Sequence, residues 1–289
     1  ETGAPMSERM RVEVSGGSLI QNGSGGTFFS NDAGTLIFDD VRFENIMAIS
    51  AIASSTGGVT MLDRVSFDGG DMDSFAFASG GAAHTVINTT VSGLTGINDV
   101  FSVRGEGTTL TMFNTDIRDN LLQEASAFTG VRALDNATAT ITRSSFTGNT
   151  GVSFGYLSRN SANMTLVDVD ILSNTGIMGA LTATTYVDND AQITLRHVTF
   201  TGNFVFTAHV FALFSGSADV RMSCFNSGGG DTILFFSENS VYTDVDNFVS
   251  TEMVSTTCSD ARDGRLAQEN ENSGCFDNQD DRPCSIGCE

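Results

Sequence analysis

Arg196 and Arg221 stand 25 residues apart, with Arg143 and His197 near the same phase and Asp168 and Asp170 slightly more than one such interval before Arg196. If the chain repeats at about that length, these side chains gather on adjacent repeats. Cleaving a uronic polymer by elimination needs a base near the sugar C5 and a cation or guanidinium to neutralise the carboxylate. Arg143, Arg196, His197 and Arg221 are therefore the candidate catalytic set. The same residues also fit charge pairing between neighbouring strands on an outer face.

A second group is acidic. Asp39 and Asp63 fall in phase, and the turn DGGDMD adds Asp68, Asp71 and Asp73. Stacked carboxylates repel unless Arg42, Arg64 or a cation lies between them. Alternating carboxylates on a Gly turn suit calcium, although the spacing is not that of a twelve-residue EF-hand loop and lacks its terminal Glu. No cofactor other than calcium is expected. His84, His197 and His209 are too dispersed for a metal site and read as satisfied structural histidines. The sequence holds no GxSxG, Walker loop or Cys-His nucleophile pair.

The element that must position these groups is a repeat. Aligned on Phe200, nine segments place Phe43, Phe67, Val91, Ile117, Phe146, Ile171, Phe200, Phe225 and Phe248 in one column, at steps of 24, 24, 26, 29, 25, 29, 25 and 23 residues. The positions five and seven before this anchor are mostly apolar, and those between them mostly polar. Such alternation is a half-buried strand. Six before the anchor, Thr85, Thr111, Thr140, Thr165 and Thr194 recur, as suits an outer strand face. Three after it come Asn120, Asn149, Asn174 and Asn203, expected to form a corner ladder and to accept left-handed backbone angles. A second apolar stretch follows in each copy, and no segment is long and periodic enough for a helix. A stacked supersecondary unit of this period is a β-solenoid.

The repeats resemble the right-handed parallel β-helix, or pectate-lyase-like, superfamily. The F/I-x-x-N corners and the GIMGA stretch (176–180) are also similar to repeats of polymorphic outer-membrane proteins and surface adhesins. The resemblance spans roughly residues 10–255 and implies the fold; the superfamily hosts lyases, hydrolases, epimerases, adhesins and spacers alike. Asn114-Thr115-Asp116 matches the NTD motif of polygalacturonase-type hydrolases, but the following Asp-Asp pair and His-Gly are missing, and Arg-x-Lys is impossible in a chain without Lys. The Arg and Pro pattern of pectate lyases is absent as well.

The expected architecture is an all-β, right-handed parallel β-helix of about nine coils. Residues 1–33 would comprise an expression remnant, Glu1-Thr2-Gly3, and an irregular Gly- and Ser-rich N-terminal cap. Residues 34–255 would form the helix, and residues 256–289 a cysteine-containing cap. Cys224, Cys258, Cys275, Cys284 and Cys288 are expected to staple that tail by disulfides of unassigned pairing. The 22 Phe, against no Trp and 3 Tyr, point to rings stacked in the lumen. Longer insertions in coils four and six, around 119–136 and 180–190, suggest the walls of a groove, with Arg132 and Tyr186 near it.

The net charge of −21 argues against nucleic acid and anionic membrane surfaces. No run approaches the ~18 apolar residues of a membrane span, so no direct membrane insertion is expected. Sequons at Asn22, Asn88, Asn136 and Asn163 mark candidate glycosylation sites, with Asn88 close to a strand. The expectation is a secreted or cell-surface, non-enzymatic protein that presents an acidic rod to an extracellular protein or polysaccharide. The alternative is a polysaccharide-active or carbohydrate-binding β-helix of polyuronate lyase type; a third reading is an ice-binding solenoid, from the Thr column.

Overall fold

The computed structural model describes residues 11–95, 99–122, 129–151, 156–176, 183–204, 208–213, 215–226, 232–236, 241–245, 247–249, 257–260 and 265–267. They form an all-β parallel solenoid of about seven turns, without a helix among them. The count is below the nine expected from the anchors. The ninth copy is also offset by one residue: Phe225 faces Val249, not Phe248, and Val220 faces Asp244.

The first face of the solenoid is a ladder of parallel strands. Val59–Asp63 pairs with Ala83–Ile87, which pairs with Thr109–Phe113, Thr138–Thr142, Asn163–Leu172 and Gln192–Thr201 in succession. Alternate residues point inward, and Phe38, Leu62, Val86, Met112, Ile141, Leu166, Leu195 and Val220 are all buried. The anchors occupy a short second face, where Asp116–Arg118 lies between Thr90–Thr95 and Ser145–Thr147. They too are buried from Phe43 to Phe225. Phenylalanine fills the lumen as its abundance requires: Phe43 stacks on Phe67 at 5.5 Å and Phe200 on Phe225 at 4.7 Å. A third face joins Asp99–Arg104, Thr129–Leu134, Tyr156–Arg159, Ala183–Asp188 and Ala208–Leu213.

Two of the bends between faces are single left-handed residues, and the bend from the third face back to the first is a left-handed pair such as Asp135–Asn136 or Asn160–Ser161. One column of bends, three before each anchor, runs Asp40, Arg64, Asn88, Asn114, Arg143, Asp168, His197 and Met222, at φ of 48° to 56°. The second, two after the anchor, includes Asn45, Asp119, Gly148, Ser173 and Gly202. The left-handed residue at this corner is therefore the one preceding the recurrent Asn. That Asn instead turns inward, and Asn120, Asn149, Asn174 and Asn203 are buried. Each amide nitrogen donates to a carbonyl of the preceding coil, and those of Asn120, Asn149 and Asn174 also donate to the next asparagine's Oδ1; Asn149 Nδ2 reaches Asn174 Oδ1 at 3.1 Å and Ile117 O at 2.9 Å. Buried backbone groups are thereby satisfied at a bend where strand pairing lapses.

Residues 11–32, read as irregular from their Gly and Ser, form strands Arg11–Gln21 and Ser24–Asp32 paired in parallel with Thr35–Ser55. A break in register between Ser15 and Ser18 takes up the Gly pair. At the other end, Thr257–Asp260 continues a parallel ladder, but Arg265–Ala267 returns antiparallel to it. The described residues contain no complete disulfide. Cys224 is buried, Cys258 lies in the strand Thr257–Asp260, and Cys275, Cys284 and Cys288 fall outside the described residues.

Candidate functional site

A left-handed bend turns its side chain away from the lumen at the same height in every coil, so the bend residues stack along one outer corner. Arg64 bonds Asp39 of the previous coil and reaches Asp63 at 3.3 Å. Asn88 Nδ2 donates to Asp63 at 3.1 Å and itself accepts from Asn114 Nδ2 at 2.7 Å. Arg143 lies 5.7 Å from the centre of the Phe113 ring and 4.0 Å from Asp168, whose other oxygen is 3.0 Å from His197 Nδ1. Exposed pairs of this kind contribute about 0 to 1 kcal/mol each.

Two members of the candidate catalytic set, Arg143 and His197, thus meet through Asp168. Arg196 and Arg221 face each other across adjacent strands of the first face. The Arg221 guanidinium is held on Asp219 at 2.7 Å and 3.0 Å, which raises its pKa. Asp168 is already hydrogen-bonded to His197 and ion-paired with Arg143. Asn114-Thr115-Asp116 spans the same corner, where Thr115 is buried and Asp116 accepts from Ser145 at 2.5 Å.

Asp39 and Asp63 are cross-strand partners, as their phase requires, with Arg64 bridging them. Asp68 lies 3.7 Å from Arg42, and Asp71 pairs with Met47 and Thr95 in register. The side chain of Asp73 lies outside the described ones. Among the described residues no three His, Cys, Asp or Glu side chains are grouped to hold a metal ion. The sequon residues Asn22, Asn88, Asn136 and Asn163 are all exposed, and Asn88 is built into the corner ladder.

Sequence reasoning missed a polar network on the outer side of the third face. Arg132 bonds the buried Asp99 of the preceding coil and reaches Ser102 Oγ at 3.4 Å. Two coils on, Asp188 is fully buried, with Oδ2 accepting from Tyr186 at 2.8 Å and from Arg159 at 3.0 Å. Burial holds the Asp188 carboxyl above its usual range, against the pull of Tyr186 and Arg159, and its Oδ1 has no hydrogen-bond partner. Burial, then the neighbouring Asp188, pushes the Tyr186 hydroxyl up. The signal available in the sequence was Asp99 opening the apolar run DVFSVR and Asp188 closing TTYVD. An acid at a strand end otherwise suggests solvent.

Of the histidines, His84 lies inward and is buried, but its Nε2 finds no partner, so it is not the satisfied residue expected. The side chain of His209 lies outside the described ones. No protein-family model, curated protein or solved structure matches this chain.

Proposed function

We propose that the protein is a non-enzymatic extracellular recognition rod: a right-handed β-helix with a disulfide-stapled tail, binding a protein or polysaccharide at one corner. The observation that carries this reading is where the repeat varies. The two single-residue corners recur at fixed offsets from the anchor, and the corner from the third face to the first is a left-handed pair in coil after coil. From the anchor to the third-face residue that is in register with its neighbours, the chain instead runs 10 residues to Phe101, 14 to Val131, 10 to Tyr156, 14 to Thr185 and 10 to Val210. Length variation confined to one side of a regular scaffold is how solenoids accommodate a partner. Arg132 and Tyr186 belong to strands that start at this corner, fixed by the buried Asp99 and Asp188.

The test exposes purified protein to immobilised polyuronates, neutral glycans and extracellular matrix proteins, with and without calcium. The expected result is retention by at least one surface without any change in polymer size. A variant with residues 123–128 and 177–182 each shortened to restore the 10-residue run from the anchor should lose that retention with its circular dichroism unchanged, and Arg132→Ala with Tyr186→Ala should weaken it. Depolymerisation that Arg196→Ala abolishes would overturn the reading in favour of a polyuronate lyase.

A further inference from the structure

On the first face the outward column Thr85, Thr111, Thr140, Thr165 and Thr194 runs through five successive strands with no register shift. Thr109 and Thr138 flank it on one side and Thr142 on the other. Three further properties bear on what this face can bind.

First, its threonine hydroxyls make no hydrogen bond to other described groups, whereas Thr60, Thr89, Thr108 and Thr115 all bond within the protein. Second, the Thr column and the column before it carry no charge from Val59 to Gln192, on a chain of net charge −21. Third, Thr is β-branched and stiff at χ1, so an array of it loses little rotamer freedom on meeting a solid. Hydroxyls and methyls therefore recur at about 4.8 Å from strand to strand along the column, and at about 6.6 Å along the strand where Thr109 precedes Thr111 and Thr138 precedes Thr140. A charged column would keep its own hydration shell; this one leaves its hydroxyls to the outermost water layer.

We propose that this face binds ice, with the threonine hydroxyls hydrogen-bonding an ordered water layer and the methyls filling the spaces between. The partner that suits it is neutral, flat and periodic, and offers both donors and acceptors at every position. A crystalline polysaccharide is also neutral and periodic, but its sugar rings pack on aromatic side chains, and here only Phe113, at the edge of the array and beneath Arg143, is aromatic. The proposal does not involve the variable corner, so either proposal can fail alone.

The experiment is nanolitre osmometry of the full chain, with ice-recrystallisation inhibition read in parallel. Wild type is expected to show a gap between melting and freezing. Thr140→Glu, outward-facing and at the centre of the array, is expected to abolish that gap with its melting curve retained, while Thr147→Glu on the second face keeps it. Absence of both hysteresis and recrystallisation inhibition in the wild type would overturn the proposal. So would a Thr140→Glu variant as active as wild type, or binding to crystalline cellulose or self-association that Thr140→Glu abolishes in the absence of any ice activity.

Discussion

His84 occupies the inward column that Thr60 and Leu110 fill in the neighbouring coils, and its environment sets a measurable pH dependence. Burial pushes its imidazole from the ordinary 6.5 down to about 4. Between those values the unfolded chain binds a proton that the folded chain refuses, so stability rises with pH across the window. The contribution is complete above 6.5 and lost as pH falls through about 4. The full span corresponds to about 3 kcal/mol. His84→Leu, matching Leu110 one coil on, should remove this component, since it deletes both the titration and the unpartnered Nε2. Urea midpoints at about pH 7 and about pH 4.5 should fall further for wild type than for the variant. Equal falls would mean that His84 is solvated or paired in solution.

The asparagine ladder belongs to the element scale, because each amide serves two coils. Asn149 accepts from the backbone N–H of Asn120 at 3.1 Å and from its side chain at 2.9 Å, and donates to Ile117 O. Asn149→Ala leaves a buried donor and a buried acceptor unpaired, at roughly 1 to 3 kcal/mol each. A drop of about 3 kcal/mol or more in urea unfolding is expected, whereas Glu106→Ala at an exposed turn should stay within about 0.5 kcal/mol. Much of this element was legible. Period-2 burial and the spacing of Asn120, Asn149, Asn174 and Asn203 follow from a pattern repeated in register. The left-handed column was not legible, because Arg64, Arg143, His197 and Met222 adopt a conformation their types rarely choose. Stacking between coils overrides that preference. Asp99 and Asp188 escaped notice because their burial depends on what packs over the outer side of a strand, which period-2 reasoning assigns to solvent. The last copy was misaligned by one residue because Phe248 and Val249 are adjacent and both apolar, so hydropathy does not choose between them as the anchor.

At the scale of the whole molecule, the ladders and the net charge pull in opposite directions. Stability in a solenoid is close to a sum over coils and their nearest-neighbour interfaces. Along the outer corner those interfaces include exposed pairs such as Arg64–Asp63 and Arg143–Asp168, which salt weakens. The same rod carries a net −21, whose repulsion extends over many coils and is relieved by unfolding. Between about 0.01 M and about 0.15 M salt the Debye length falls from about 30 Å to about 8 Å. Contacts of 3 to 4 Å lie inside that range throughout, while repulsion between coils several strands apart is screened. The thermal midpoint should therefore rise with sodium chloride over this interval, and rise by as much with tetramethylammonium chloride, since screening does not depend on the cation's identity. A midpoint that falls with salt would show that the corner ladders outweigh the net charge. A rise specific to calcium at matched ionic strength would point instead to ion binding among Asp39, Asp63, Asp68, Asp71 and Asp73, which Asp68→Asn with Asp71→Asn should then abolish.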